Sequence, residues 1–253
     1  MPNTKRPRHY GSTSTRNSAA KTTPVVVALA VAVCIAAIVA IVYLLPQDDD
    51  SDRAASDRVA STGTPGDCGD APQPPAEPQQ FGDAPDPGTA EGKTFEVVLA
   101  TNCGDITLEL DGDKAPQTVA SFNFLSERGY FNDSPCHRLT TAGIFVLQCG
   151  DPTGTGQGGP GYTFGIENPP ADGTYPPGSL AMARTPDPNS NGSQFFIVYD
   201  DTELPDPDGY SIFGMVTGGM EVVDYIAEQG VGGGGGEQPA QPLSILGVTV
   251  SEK

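Results

Sequence analysis

An arginine and a glutamine, Arg138 and Gln148, flank a short turn that contains Gly143. The apolar residues around this turn predict two adjacent antiparallel strands. Positions equally far from the turn lie opposite one another in such a hairpin, so both polar side chains would share a face with the ring of Phe145. A planar cation and an amide beside an apolar ring suit a ligand that combines a carbonyl with a compact apolar ring. That description fits a peptidyl-proline.

A second pair of segments strengthens this interpretation. Residues 179–184 read Ser-Leu-Ala-Met-Ala-Arg, and residues 189–199 read Asn-Ser-Asn-Gly-Ser-Gln-Phe-Phe-Ile-Val-Tyr. With the His-Arg, Phe and Gln-Cys-Gly-Asp groups of residues 137–151, they resemble the cyclophilins, a family of peptidyl-prolyl cis/trans isomerases. The resemblance covers residues 94–253, about two-thirds of the chain, and the whole chain resembles a bacterial, membrane-anchored member.

The resemblance implies a role for each matching residue. Arg138 would be the catalytic cation, and Gln148 would contact the substrate backbone and help to hold Arg138. Phe145, Val146 and Phe196 would line the proline pocket. The residues implied to lie along or beneath the peptide that precedes the proline are Met182, Ala183, Arg184 and Gln194.

Two positions depart from the family pattern. Leu204 stands where well-studied members have an aromatic residue, often tryptophan, and the chain contains no Trp. Tyr210 stands where many members have a histidine that closes the pocket. We expect isomerisation to be retained and a cyclosporin-type inhibitor to bind weakly, because that ligand depends on the missing aromatic residue.

The elements that must position these residues are mostly strands. Apolar runs predict a series of strands, of which the first covers residues 95–100 and the last covers residues 243–250. We expect the last strand to pair with the first. Helices are predicted over residues 115–127, where Pro116 opens the helix and Gly129 stops it, and over residues 219–227. The fold class is therefore mainly β, and the resemblance implies a closed eight-stranded antiparallel barrel capped by the two helices.

Charge and histidine content exclude several functions. The formal net charge is −19, and every acidic residue lies at or beyond Asp48, so nucleic-acid binding by that part is disfavoured. The chain has only two histidines, His9 and His137, which argues against a Ser-His-Asp hydrolase or a histidine-rich metal site. We expect His137 to face solvent. Rotation about a peptide bond requires no nucleophile, so we expect no metal and no other cofactor.

The N-terminal part predicts one membrane-spanning helix. Residues 25–45 are apolar except for Cys34 and Tyr43 and are long enough to cross a bilayer of ~30 Å. Residues 1–24 are basic and acidic residues follow the span, which predicts a cytoplasmic N-terminus in a single-pass protein of the cell membrane. A cleaved signal peptide is the alternative, although the apolar run is long and lacks a small-residue cleavage pattern.

Residues 46–93 are rich in Asp, Pro, Ala, Gly and Ser, with few large apolar residues such as Phe81. Such a segment buries too little apolar surface to offset the entropy lost on ordering, so we predict an acidic, disordered linker. The resulting domain map places a basic cytoplasmic tail in residues 1–24, the span in 25–45, the linker in 46–93 and an isomerase domain outside the membrane in 94–253.

Four cysteines follow the predicted span, and an even number in an oxidising compartment predicts two disulfides with three possible pairings. Cys136 and Cys149 lie near the open ends of the predicted hairpin and would face each other, which leaves Cys68 for Cys103. Free thiols are the alternative.

These features together predict a monomeric peptidyl-prolyl isomerase that acts on proline-containing segments of exported proteins. The first alternative is a module that binds such segments without turnover, and the second is a structural protein of the cell envelope that binds no peptide. Retention of Arg138 and Gln148 favours the enzyme.

Overall fold

The computed structural model describes residues 66–234 and 236–253. The predicted cytoplasmic tail, the predicted span at residues 25–45 and residues 46–65 of the predicted linker lie outside the described residues. Within the described ranges, none of the helices has both the length and the apolar character needed to cross a bilayer.

Strands make up most of the regular structure, as predicted, together with two α-helices and a short 3₁₀ turn at Pro87–Thr89. The two helices are α1 (Pro116–Glu127) and α2 (Met220–Gln229). The strands are β1 (Thr94–Thr101), β2 (Gly104–Asp111), β3 (Ser134–Pro135), β4 (Arg138–Leu139), β5 (Val146–Cys149), β6 (Thr174–Tyr175), β7 (Ser179–Met182), β8 (Phe195–Val198), β9 (Thr202–Glu203), β10 (Ile212–Gly218) and β11 (Ser244–Glu252).

The main sheet has nine strands in the order β3-β11-β1-β2-β10-β7-β8-β5-β4, and β6 pairs separately with β9. The prediction of a closed eight-stranded barrel was therefore wrong, because this sheet curls into a half-barrel that does not close. The cause is local. The two outermost strands, β3 and β4, are consecutive two-residue segments of one stretch of chain, so they follow each other instead of pairing side by side.

The predicted pairing of the first and last strands is confirmed. Val97 of β1 lies opposite Val250 of β11, in an antiparallel register that continues along both strands. On its other side, β1 forms a hairpin with β2, in which Leu99 faces Ile106. Alternate residues of β1 point into the core, so Val97 and Leu99 are almost completely buried while Glu96 is exposed. This alternation of apolar and polar residues is what selects the register.

Helix α1 packs against the sheet through the main apolar core. It begins at Pro116, as predicted, and Gly129 follows its last turn with a positive φ of 65° that few other residues adopt. Val119, Phe122 and Leu125 are buried on its inner face. Phe122 packs on the core aromatic rings of Phe131, Phe195 and Phe213.

The second half of the predicted linker is packed on the domain, which corrects the prediction of disorder for residues 66–93. The ring of Phe81 lies edge-on against Phe124, with centroids 5.1 Å apart, and its backbone N–H donates to the carbonyl of Pro160 at 2.7 Å. The average composition of the segment is polar, but Phe81, the disulfide of Cys68 and the hydrogen bond from Gln80 Nε2 to the Gly159 carbonyl attach it to the domain. The ordered unit therefore begins before residue 94.

The four cysteines of the described residues form two disulfides. Cys136 is bonded to Cys149 across the hairpin of β4 and β5, and Cys68 is bonded to Cys103 at the turn between β1 and β2. These are the pairings that the hairpin argument favoured. The first bond lies close to the predicted site residues, and the second attaches the packed segment to the sheet.

Candidate active site

Arg138 and Gln148 lie directly opposite each other in the pairing of β4 with β5, as the hairpin argument predicts. The Arg138 Nη1 donates to Gln148 Oε1 at 3.3 Å. The turn between the strands contains Gly143, whose φ of 79° lets the chain reverse. A local hairpin thus brings a fixed cation and an amide together.

These two side chains border a cavity of about 130 Å³. Val146 and Phe196 are buried beside it, on the neighbouring strands β5 and β8. The ring of Phe196 lies edge-on to that of Tyr210, with centroids 5.8 Å apart. The size of the cavity and its apolar side chains, such as Val146 and Phe196, suit a small ring, while Arg138 and Gln148 supply a polar edge. The residues that line it are Arg138, Ile144, Val146, Gln148, Ala183, Arg184, Phe196, Leu204 and Tyr210.

Phe145 is not among the lining residues, in contrast to the expectation from sequence. Its ring packs edge-on against Tyr199, with centroids 5.9 Å apart, and Ile144 lines the cavity instead. Side chains alternate along a strand, so the face that carries Val146 and Gln148 also carries Ile144, and Phe145 points to the other face.

Arg184 is placed at the cavity, but its side chain is only 1% exposed and holds a loop. Its Nε donates to the carbonyl of Gly209 at 2.9 Å, and Nη2 donates to Asp206 Oδ1 at 2.6 Å. Its guanidinium carbon lies 4.7 Å from the centroid of the Tyr210 ring. Arg184 therefore fixes Tyr210 as a wall of the cavity. By contrast, the side chain of Met182 is buried in the main core, away from the cavity.

A larger groove of about 460 Å³ adjoins the cavity and shares Gln148, Ala183 and Arg184 with it. Gln194 lies in this groove, where its Nε2 donates to the carbonyls of Gly156 and Gly158 at 3.1 and 2.8 Å. An extended peptide whose proline ring occupies the cavity has room for its preceding residues here.

The glycine-rich loop at residues 150–161 is folded around the carboxylate of Asp151. Oδ1 accepts from the backbone N–H and the hydroxyl of Thr153, and Oδ2 accepts from the Gly158 N–H at 3.0 Å. Burial acts to raise the pKa of Asp151, but the hydrogen bonds from Thr153, Gly158 and Gly156 outweigh it and hold the pKa below its ordinary value. A Cβ at Gly158 would collide with Asp151, which explains the glycine.

His137 does not face solvent, which corrects that expectation. Both ring nitrogens are buried and have no hydrogen-bond partner in the described part of the chain. Burial lowers the pKa of His137, against the nearby Asp151 carboxylate, which raises it, and with Arg138, which lowers it further. The imidazole beside the site is therefore neutral at pH 7.

Comparison with known proteins agrees with this geometry. Residues 96–250 match the family model described as cyclophilin type peptidyl-prolyl cis-trans isomerase/CLD. The chain belongs to the cyclophilin family.

Two curated relatives of this cyclophilin are named probable peptidyl-prolyl cis-trans isomerase B. The one from Mycobacterium leprae is 44% identical over 179 residues, which are 65% of this chain and 58% of the relative. The one from Mycobacterium tuberculosis is 44% identical over 166 residues, or 60% of this chain and 53% of the relative. This cyclophilin thus spans little more than half the length of these two relatives.

A solved structure shows the same fold. It is a Cryptosporidium parvum cyclophilin type peptidyl-prolyl cis-trans isomerase crystallised in the presence of the dipeptide Ala-Pro. Its sequence is 32% identical, the TM-score is 0.54, and the match covers 62% of this cyclophilin and 99% of the solved chain.

Sequence reasoning missed three residues of this cyclophilin's site. Ile144 lines the cavity, Gln80 lines the adjoining groove, and Glu237 forms an ion pair with Arg138. A lone aromatic residue, Phe81, beside Gln80 was the available signal that the segment packs on the domain. Glu237 gave a weaker signal as a single acid directly after a glycine run.

Proposed function

We propose that this cyclophilin catalyses cis/trans isomerisation of Xaa-Pro bonds in polypeptides. The observation that carries the proposal is the position of the Arg138 guanidinium and the Gln148 amide at one edge of a ring-sized cavity lined by Val146 and Phe196. The family to which the chain belongs supports it, as do the isomerase names of its curated relatives. The related structure determined with Ala-Pro supports a proline-containing ligand.

The mechanism follows from the electronic structure of the amide. Rotation about a peptide bond has a barrier of ~18–20 kcal/mol, because resonance between nitrogen and carbonyl is lost in the twisted state. The prolyl nitrogen becomes pyramidal there and gains a lone pair. A donor aimed at that nitrogen stabilises the twisted state more than either planar state, which is the requirement for catalysis. Arg138 supplies such a donor, because a guanidinium is a cation that donates hydrogen bonds and accepts none.

The other residues hold the substrate while the bond turns. The proline ring would occupy the cavity between Val146 and Phe196, and Tyr210, held by Arg184, would close one side. The residues before the proline would lie in the adjoining groove over Gln194 and the glycine-rich loop. Fixing the ring while the preceding carbonyl rotates converts binding energy into a lower barrier.

The test compares the full chain with its Arg138→Ala variant in a protease-coupled assay on a proline-containing peptide. We expect the substitution to lower kcat/KM about 100-fold, the usual cost of removing a donor that acts on the transition state. Equal rates for the two proteins would remove the catalytic role. Peptide binding without acceleration in the parent protein would favour the alternative of a non-catalytic binding module.

We also propose that the isomerase acts on exported proteins, outside a membrane to which residues 25–45 anchor it. The apolar run and the preceding basic residues support the anchor, and two disulfides in the domain support an oxidising compartment. Protease added to intact cells that express the chain should remove the domain and spare the N-terminus. Protection of the domain in intact cells but not in lysed cells would place it in the cytoplasm.

A further inference from the structure

The guanidinium of Arg138 is bound on the edge that faces away from Gln148. Its Nε donates to Oε2 of Glu237 at 2.6 Å, and its Nη2 lies 3.5 Å from Oε1 of the same carboxylate. With the bond from Nη1 to Gln148, these contacts use three of the five N–H groups that an arginine offers. Two N–H groups, one on each terminal nitrogen, are left for a substrate.

The backbone places Glu237 independently of this ion pair. The Glu237 carbonyl accepts from the N–H of Leu139, the residue after Arg138, at 2.5 Å. Val231 and Pro239 form a bridge, and the Gly232 N–H donates to the carbonyl of Gln238 at 2.8 Å. These contacts bring residues 237–239 beside residues 231–232 and present the Glu237 carboxylate to β4.

We propose that Glu237 is a positioning residue for Arg138, and this inference rests on the proposed isomerase function. An arginine side chain has four rotatable bonds, and its bond to Gln148 is long, at 3.3 Å. The short contact of Glu237 with Nε fixes the plane of the guanidinium. A planar donor group is effective only when its plane and distance match the developing lone pair, so fixing the plane contributes to kcat.

The exposure of the pair gives the proposal a distinctive signature. The side chains of Arg138 and Glu237 are 34% and 56% exposed, so salt in the solvent screens their attraction. Screening leaves the charge of Arg138 unchanged but loosens its orientation. Turnover of the parent protein should therefore fall as ionic strength rises, and a variant without the carboxylate should lack that dependence.

The experiment uses the full chain and its Glu237→Gln variant in the proline-peptide assay, at low salt and at about 1 M salt, where the screening length is only ~3 Å. The control is Glu252→Gln, which breaks the ion pair between Glu252 and Lys93 at the end of the β1–β11 pairing. That pair is 3.1 Å long and similarly exposed, at 39% for Lys93 and 54% for Glu252. We expect Glu237→Gln to lower kcat about fivefold at low salt with KM unchanged, the factor that a strong exposed ion pair provides. The control should behave as the parent.

Each other outcome has a defined meaning. A Glu237→Gln variant with the parent's kcat and salt response overturns the inference, and so does an increase in kcat, which would show that Glu237 restrains Arg138. If that variant does not fold, the parent protein alone provides the test. A parent kcat that is the same at low salt and at about 1 M salt overturns the inference. An inactive parent protein refutes the proposed isomerase function, which distinguishes that failure from a failure of the inference about Glu237.

Discussion

Gln148 Nε2 donates a hydrogen bond to Gln194 Oε1 at 2.9 Å, and this bond links the two halves of the site. On one side, Gln148 accepts from Arg138 at the small cavity. On the other side, Gln194 holds the carbonyls of Gly156 and Gly158 at the edge of the groove. A continuous chain of hydrogen bonds therefore runs from the cation to the glycine-rich loop, so loop position and cation position depend on each other.

Replacing Gln194 with leucine should break this chain in the middle. We expect kcat/KM for a proline peptide to fall about fivefold to tenfold, because each hydrogen bond lost contributes ~1 kcal/mol. Hydrogen exchange of the Gly158 backbone N–H, which donates to Asp151, should become faster, because the loop loses two of the hydrogen bonds that hold it in place. The control is Gln241→Leu, which alters a half-buried glutamine whose Nε2 donates to the carbonyl of Pro242, and equal exchange rates in all three proteins would contradict the prediction.

Asp151 should make the stability of the domain depend on acid. Burial acts to raise its pKa, but hydrogen bonds from Thr153 and the loop N–H groups lower it below 3.8. A lowered carboxyl pKa adds stability that is full above the unfolded value and is lost as the pH falls through the folded value. Asp151→Asn should cost about 2 kcal/mol at pH 7, because it removes charged acceptors from buried donors.

Urea unfolding between pH 7 and pH 2.5 measures this effect. The difference in the free energy of unfolding between parent and Asp151→Asn should shrink below pH ~3.9, where the unfolded carboxyl takes up its proton. Asp187→Asn alters a carboxylate that bonds to Asn189 in another, exposed turn and serves as the control. A difference that stays constant down to pH 2.5 would show that Asp151 acts without its charge.

His137 should make the stability of the domain depend on pH nearer neutrality. Burial lowers the pKa of His137, so its imidazole stays neutral in the folded protein at pH values where the unfolded chain, with a pKa near ~6.5, becomes protonated. Stability is therefore full above pH ~6.5 and declines as the pH falls from there toward the folded-state pKa. His137→Leu, measured by melting temperature at pH 7.5 and 5.5, should reduce that decline. His9→Leu, which changes the only other histidine, should preserve it.

The Cys136–Cys149 disulfide should stabilise both the domain and its hairpin. The bridge closes a loop with a sequence separation of 13, and a loop of this size is worth about 3 kcal/mol. The double variant Cys136→Ser/Cys149→Ser should lose about that much in urea unfolding and should also lose activity, because Arg138 and Gln148 lie inside the loop. Cys34→Ser removes a cysteine outside these bridges and should match the parent.

Leu204 should limit binding of the cyclosporin-type inhibitor. It lines the small cavity, at the position where the family pattern used in the sequence analysis has an aromatic residue, and the chain has no Trp. Leu204→Trp should tighten binding about tenfold in calorimetry, since a packed aromatic side chain adds apolar contact area. Tight binding by the unmodified protein would contradict this account.

The parts of the site that follow from local rules were predictable from sequence. A turn with Gly143 at its centre fixes which residues of β4 and β5 lie opposite, so Arg138 and Gln148 could be paired in advance. The inner face of α1 was also predictable, because its apolar residues recur at the spacing of a helix.

The parts set by distant or irregular segments were not predictable. Phe145 was a wrong assignment of another kind, because alternation along the strand puts Ile144, not Phe145, on the face of Val146 and Gln148. Glu237 meets Arg138 across 99 residues of chain, which no local pattern encodes. Composition averaged over the linker also concealed Phe81, whose single ring packs on Phe124.

The Cys68–Cys103 bond determines where mechanical tension would enter the domain. A pull on the chain that precedes Cys68 passes through the sulfur atoms into the turn between β1 and β2. Residues 69–93 lie inside the loop that the disulfide closes and would bear no force. Phe81 and Gln80 would therefore stay packed beside the groove. Under reducing conditions the Cys68–Cys103 bond would be broken, and the same force would detach residues 69–93 from the domain first.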